Sequence, residues 1–360
     1  MNAAVPTNSS PESVLVVRLG AMGDVIHTLI SVTALRNAFP AMRIGWIIEH
    51  RWAELLCAKN TPLSGPRSPQ RPLADFVHIV DTKRWRKALL NHETQLQIRQ
   101  VLREVRDQHY EAAADFQGAL KSALLVRSAR ARAVLGFAHP REFPASSFYT
   151  HRVKPQAANV VDQYHSLAEA LSGTPLPHCD ATFPRDEEAE TRIETKISGL
   201  DKDFVIINPG AGWGSKQWPA ERYGEVARAL SICGFTPLIN FGPGEQELAL
   251  EVQATSGGVS QPISCSISEL IAFTRRARLF LGGDTGPLHL AAALRVPVVA
   301  IFGPTDPARN GPYGTQSVVL RNPASKTSLS HTSAPDPGLL AISADEVISA
   351  ARKLLRSASA

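Results

Sequence analysis

The chain has little of what several protein classes depend on. Its 360 residues hold only four cysteines, Cys57, Cys179, Cys233 and Cys265, and no C-x-x-C pair, so neither a disulfide framework nor a thiolate zinc site is expected. Buried thiols are the simple reading. The longest apolar stretches, such as Val296 to Phe302, are too short to span a bilayer. Met1 to Pro11 carries neither a basic start nor an apolar run, so the expectation is a cytoplasmic protein. No pair among the eleven histidines stands at metal-ligand spacing near carboxylates, and no bound metal is expected. Aromatics make up 6% of the chain, and only Trp85 interleaves with a basic run, which argues against nucleic acid as the partner. A Gly-x-Gly-x-x-Gly turn is missing from the early part, which weakens a dinucleotide oxidoreductase or sugar-nucleotide epimerase reading. Lys216 is followed by Gln217 rather than Ser or Thr, which disfavours a P-loop kinase or ATPase.

What is there is an ordinary globular composition, 44% hydrophobic and 20% charged, long enough for two domains. The net charge of +5 points to an anionic partner. Its densest run is Lys83-Arg84-Trp85-Arg86-Lys87, and Lys121, Arg127, Arg130 and Arg132 follow in the same half. A solvated helix face and a binding groove both account for such runs.

Val14 to Arg18 reads as a strand, then a glycine turn, then a helix with Val25, Ile26, Leu29, Val32 and Leu35 at helical spacing. Further strands are expected at Ile44–Ile48, Phe76–Val80, Ala112–Phe116 and Val134–Phe137, and Thr61–Pro72 reads as an exposed loop. A Gly- and Pro-rich stretch follows, and a second alternating series places strands at Phe204–Asn208, Thr236–Phe241, Leu279–Gly282 and Val298–Phe302. Such alternation predicts parallel sheets covered on both faces, in an α/β fold of two Rossmann-like domains facing a central cleft. The boundaries read as 1–172, a linker at 173–185, 186–341, and a closing helix at 342–360 that has the option of packing back on the first domain. Asn322–Ala341 reads as loop, and Ser343-x-x-Glu346 as a capping box.

Strand-to-helix turns carry the candidate chemistry. Gly282-Gly283-Asp284-Thr285-Gly286-Pro287 offers free amides and a helix dipole to a pyrophosphate. Asp284 would cap the helix or accept sugar hydroxyls; a plain N-cap with Pro287 in the first turn is the alternative. Asn208 to Pro219 is a second such turn, whose Lys216 would either neutralise a diphosphate leaving group, doing a metal's work, or be an exposed loop lysine. Glu245, in a third turn, would hold ribose hydroxyls or simply begin a helix. In the first domain Gly20-x-x-Gly23-Asp24 places a carboxylate where it would serve as a general base or as a cap. Asp115-Phe116-Gln117-Gly118, with Lys121 one helical turn on, and the 83–87 run outline a basic groove. His27 and His289 read as polar groups near the cleft or satisfied helix residues.

Together, Val16 to Leu29 and Gly282 to Leu294 resemble signatures of the ADP-heptose lipopolysaccharide heptosyltransferases, glycosyltransferase family 9. The resemblance extends through Asp115-x-Gln117-Gly118, Lys216-x-Trp218-Pro219 and Phe302-Gly303-Pro304-Thr305. Arg84 to Lys87, the 115–118 turn and Arg141-Glu142-Phe143-Pro144 look most like the heptosyltransferase I branch. It implies a GT-B fold and an inverting, metal-independent and cofactor-free transfer of heptose from ADP-heptose to the Kdo region of lipid A. Asp24 would be the base; Asp284, Thr285, Gly286, His289, Gly212 and Lys216 would meet the donor's sugar and diphosphate. Glu245 would take the ribose, and Cys265 would edge the adenine. Gly23, Lys83, Arg84, Arg86, Lys87, Gln117 and Lys121 would meet the acceptor. A monomer in transient contact with the inner membrane is the implied state. The departure from the family pattern is Ala211-Gly212, where hydroxyl residues that bind phosphate are usual, and it leaves another NDP-sugar donor open.

Overall fold

Runs of β-branched residues flanked by glycine turns become strands, and the order in which those strands pair decides where the turns meet. The computed structural model describes residues 10–328 and 334–357, which fall into two units, 1–185 and 186–360. In the first unit the strands are β1 (Ser13–Val17), β2 (Arg43–Glu49), β3 (Phe76–Val80), β4 (Ala112–Asp115), β5 (Ala133–Phe137) and β6 (His151–Val153). They form one sheet in the order β3-β2-β1-β4-β5-β6. The second unit contains β7 (Phe204–Asn208), β8 (Thr236–Phe241), β9 (Gln261–Ser264), β10 (Leu279–Gly283), β11 (Val298–Phe302) and β12 (Ser317–Arg321), ordered β12-β11-β10-β7-β8-β9. Counted within its own unit, each sheet has the strand order 3-2-1-4-5-6 of a Rossmann fold. All strand pairs are parallel.

Inward residues of the central strands make the cores, with Leu15, Val17, Ile47 and Val134 in one and Val205, Ile207, Leu281 and Ile301 in the other. The segment expected to be a linker is packed rather than free: Thr182 donates its amide to Thr33 Oγ1 at 3.0 Å, Arg185 donates to the Pro69 carbonyl at 2.9 Å, and Phe183 is buried. It belongs to the first unit. The closing helix, Ala344–Ser357, opens on the expected capping box, with Ser343 and Glu346 bonded reciprocally. Its apolar stripe, Val347, Ala351 and Leu354, lies in the core of the second unit. Trp218 Nε1 donates to the Ile342 carbonyl at 3.0 Å and fixes the start of that helix.

Elements that were not expected include the helices Val160–Ser172 and Glu187–Ile197 and strands β6, β9 and β12. Pro337–Ala341, placed in a loop by the sequence, is helical. The parts of the terminal and loop readings that fall on residues 1–9, 329–333 and 358–360 lie outside the described residues. Among the described residues no helix is long and apolar enough to cross a membrane.

Candidate active site

In the first sheet the strand order reverses between β1 and β4, the place where an open α/β sheet leaves a crevice at its carboxyl edge. Register pairs Val17 with Asp115, so the turns after these two strands stand side by side. Asp115 organises one of them. This buried carboxylate accepts from the amides of Gln117 and Gly118 at 2.9 and 3.1 Å, from Ser122 Oγ at 2.9 Å and from Tyr149 Oη at 2.7 Å. Burial pushes its carboxyl up, and the four donors only partly offset that. Gln117, so oriented, accepts the Leu19 amide at 2.9 Å with Oε1 and braces the turn after β1.

Asp24 sits in the first turn of helix Met22–Ala38. Its Oδ2 is 2.5 Å from Arg18 Nη2 and accepts the Ala21 amide at 3.3 Å, while Tyr164 Oη donates to Oδ1 at 3.5 Å. Arg18 is buried, donates Nη1 to the Phe116 carbonyl at 2.5 Å and lies 5.2 Å from the Tyr164 ring centre. Burial raises the Asp24 carboxyl, but Arg18, His27 and the Ala21 amide outweigh it and hold the group below the ordinary carboxylate range. The Asp24 side chain is nevertheless 38% exposed. Gly23, beside it, is buried.

The basic run forms helix Thr82–Lys87, capped by Asp81, which accepts the Arg84 amide at 3.0 Å. Trp85 is buried in the core, and that anchor turns Lys83, Arg84, Arg86 and Lys87 outward, all exposed. Lys121 joins them by donating Nζ to Thr82 Oγ1 at 3.2 Å.

The second sheet reverses between β7 and β10, and Gly282 pairs with Asn208 across that point. The two turns expected to carry chemistry are therefore neighbours. Lys216 Nζ is 2.5 Å from Asp284 Oδ2, and His289 Nε2 is 3.0 Å from Asp284 Oδ1. All three side chains are largely buried, and Lys216 Nζ also lies 4.6 Å from the Trp213 ring centre. Burial pushes the Asp284 carboxyl up, but His289 and then Lys216 more than reverse this, so it stays ionised far below the usual range. Thr285 is the N-cap of helix Gly286–Ala293 without a side-chain capping bond of its own, its hydroxyl reaching the Gly283 carbonyl at 3.3 Å. Asp284 is thus no helix cap.

Glu245 ends the turn after β8, accepts the Gly242 amide at 2.8 Å, and presses against Gly210, where a Cβ would stand 2.3 Å from its carboxylate oxygens. A larger residue there would displace the Glu245 carboxylate. Pairing of Phe241 with Ser264 brings Cys265 beside this turn, and burial pushes its thiol up to about 12. Gly212 is exposed, with open space where a side chain would be. Among the described residues no group of three or more His, Cys, Asp and Glu side chains is placed to hold a metal ion.

Asp284, Lys216 and His289 are thus drawn together, Glu245 and Cys265 form a second group after the adjoining strands β8 and β9, and Asp24 and Gln117 stand on neighbouring turns of the first unit. Arg18, Tyr164, Asp115 and Trp213 received no separate role in the sequence reading. Arg18 stands inside the Val16–Leu29 signature, but nothing in the pattern tells a strand-end arginine from a solvated one.

A family model for glycosyltransferase family 9 (heptosyltransferase) matches residues 98–336. The chain belongs to glycosyltransferase family 9. It is a glycosyltransferase, and the family 9 match spans all of the Lys216, Glu245 and Asp284 turns. A curated relative, lipopolysaccharide heptosyltransferase 1 of Pseudomonas aeruginosa, is 29% identical over 85% of this chain and 83% of its own. Among solved structures, the family 9 glycosyl transferase of Veillonella parvula superposes with a TM-score of 0.80 at 24% identity, covering 98% of this chain and 99% of that one. The E. coli heptosyltransferase WaaC with ADP-2-deoxy-2-fluoro heptose superposes at 0.73, with 25% identity, 95% of this chain and 99% of that one. These neighbours share the GT-B architecture of two Rossmann-like units.

Proposed function

We propose that this family 9 enzyme moves heptose from ADP-heptose onto the Kdo region of the lipopolysaccharide inner core, inverting the anomeric carbon and using no metal ion. The Lys216–Asp284–His289 cluster carries the reading. A bare carboxylate beside a diphosphate would repel it, but Asp284 is matched by Lys216 at 2.5 Å and by His289 at 3.0 Å, so the turn can present its amides to phosphate at little electrostatic cost. Lys216 then does what a divalent cation does elsewhere, taking up charge on the departing ADP. Glu245 accepts ribose hydroxyls, Cys265 edges the adenine, and Gly212 leaves its amide open to a phosphate.

In the first unit Asp24 removes the proton from the attacking hydroxyl. As that oxygen bonds to the anomeric carbon, the bond from carbon to the β-phosphate oxygen breaks and ADP leaves with the electron pair. Gly23 and the cations of helix Thr82–Lys87 with Lys121 meet the acceptor's carboxylates and phosphates. Gln117 holds the Leu19 amide with Oε1, which positions the turn, and offers Nε2 to the acceptor. The acceptor is lipid-linked, so the enzyme works as a cytoplasmic monomer at the inner leaflet of the inner membrane.

Support for heptose as the sugar comes from the names of the P. aeruginosa relative and of the E. coli neighbour's ligand. Ala211-Gly212, which brings no hydroxyl to the phosphates, favours the second reading, a family 9 enzyme with another NDP-sugar. Incubation with ADP-heptose and Kdo-lipid A, followed by mass measurement, separates the two. A gain of one heptose is the expected result; release of ADP with no heavier product would reduce the activity to hydrolysis, and transfer from a different NDP-sugar alone would replace the donor.

A further inference from the structure

One rim of the first unit keeps large apolar side chains in water. Leu90 is 94% and Phe143 80% exposed, and Leu89, Leu120 and Leu124 are exposed as well. Single exposed leucines are ordinary on a folded surface, whereas neighbouring ones mark an interaction site. Here Leu120, Leu124 and Phe143 are neighbours. The Leu120 amide donates to Glu142 Oε2 at 2.8 Å, setting the start of helix Leu120–Ser128 against the residue that precedes Phe143. Leu124 follows one turn later on the same helical face. The bond from Lys121 Nζ to Thr82 Oγ1 ties this corner to helix Thr82–Lys87, whose chain runs on into Leu89 and Leu90.

Cations ring the apolar group: Lys83, Arg84, Arg86 and Lys87 on one flank, and Lys121 and Arg141 on the other, all exposed. Two nearby carboxylates, Asp81 and Glu142, are engaged by the backbone amides of Arg84 and Leu120. These helices begin at the carboxyl edge of the sheet, the edge that also carries Asp24.

We propose that this rim docks on an anionic lipid surface, with Leu89, Leu90 and Phe143 entering the boundary between headgroups and acyl chains while the cations meet lipid phosphates. Apolar tips surrounded by an excess of positive charge, of which only Lys121 has a carboxylate partner among the described residues, Glu49 at 3.9 Å, fit such a surface, because burial of the tips and attraction to the phosphates act together. The inference rests on the lipid-linked acceptor argued above and adds the face that meets the bilayer. Docking through this rim turns the Asp24 edge toward the membrane side on which the acceptor is anchored.

The test is flotation with vesicles of phosphatidylethanolamine and phosphatidylglycerol that contain no lipopolysaccharide. The intact chain should float with them, float far less with phosphatidylcholine vesicles, and be released by high salt. Leu90→Ser with Phe143→Ser should lower partitioning about tenfold or more. The double variant should keep its melting midpoint and its kcat/KM on a deacylated acceptor in solution, and lose rate only on acceptor embedded in vesicles. Failure of the intact chain to bind, equal binding by the double variant, or binding only when lipopolysaccharide is present would each overturn the proposal. A chain that floats normally yet transfers heptose to neither acceptor would uphold the docking face and overturn the catalytic reading.

Discussion

The two units place a carboxylate and a cation 2.5 Å apart at the same point of the same strand order, yet the two pairs are built for different work. Arg18 and Asp24 come from a single turn, and the neighbouring strand's turn only braces them through Gln117. Lys216 and Asp284 come from opposite sides of the switch point and join two turns that lie 68 residues apart in the chain. Asp24 leaves 38% of its side chain in contact with solvent, where an incoming hydroxyl can reach it, whereas Asp284 keeps only 8% exposed. The same pairing therefore leaves an accessible carboxylate in one unit and a nearly sealed one in the other. Holding a carboxylate below its ordinary range makes it a weaker proton acceptor, so Asp24 is kept ionised by Arg18 before any acceptor binds.

Three measurements can break that contrast. The largest effect is expected for Asp24→Asn, which should lower kcat by about 10² to 10⁴ while ADP-heptose still binds with unchanged affinity in calorimetry. Lost donor affinity with surviving turnover would move the base elsewhere. Lys216→Ala should cost about 10² in kcat/KM and weaken ADP binding as well, because its cation serves ground state and transition state alike. Equal ADP affinity in variant and parent would leave Lys216 a structural lysine.

The smallest effect concerns stability against pH. Asp24 and Asp284 are both held below the ordinary carboxylate value of 3.8, so the folded state binds fewer protons than the unfolded chain in acid. Their contribution is complete above the unfolded carboxylate range and is lost as the pH falls below about 4. Urea midpoints should therefore fall on acidification, and Asp284→Asn should flatten that fall more than Asp24→Asn, since Asp284 is the more buried of the two. Parallel acid profiles for all three proteins would refute the distinction.

Much of this was legible in the sequence where burial is complete. Phe204–Asn208 and Val298–Phe302 read as strands with the boundaries they have, because interior parallel strands are continuous apolar runs. The turns between strands and helices were legible too, through glycine and proline. What stayed hidden was partnership. Nothing near Lys216 in the chain announces Asp284, which is supplied by the pairing of β7 with β10. Likewise Asp115 reads as a groove residue by its position, and only register with Val17 reveals it as the buried acceptor that sets Gln117.

Strands β6, β9 and β12 escaped the sequence reading because each is a sheet edge with residues such as His151, Arg152, Gln261 and Arg321, half in water and with at most the three-residue apolar run Val318–Leu320. That polarity has a use of its own. An edge strand offers unpaired amides and carbonyls to any other strand it meets, and charge or a proline such as Pro262 discourages the encounter. Changes that made these edges resemble interior strands would improve their local β propensity and, at the same time, turn each sheet into a template on which other copies of the chain could stack.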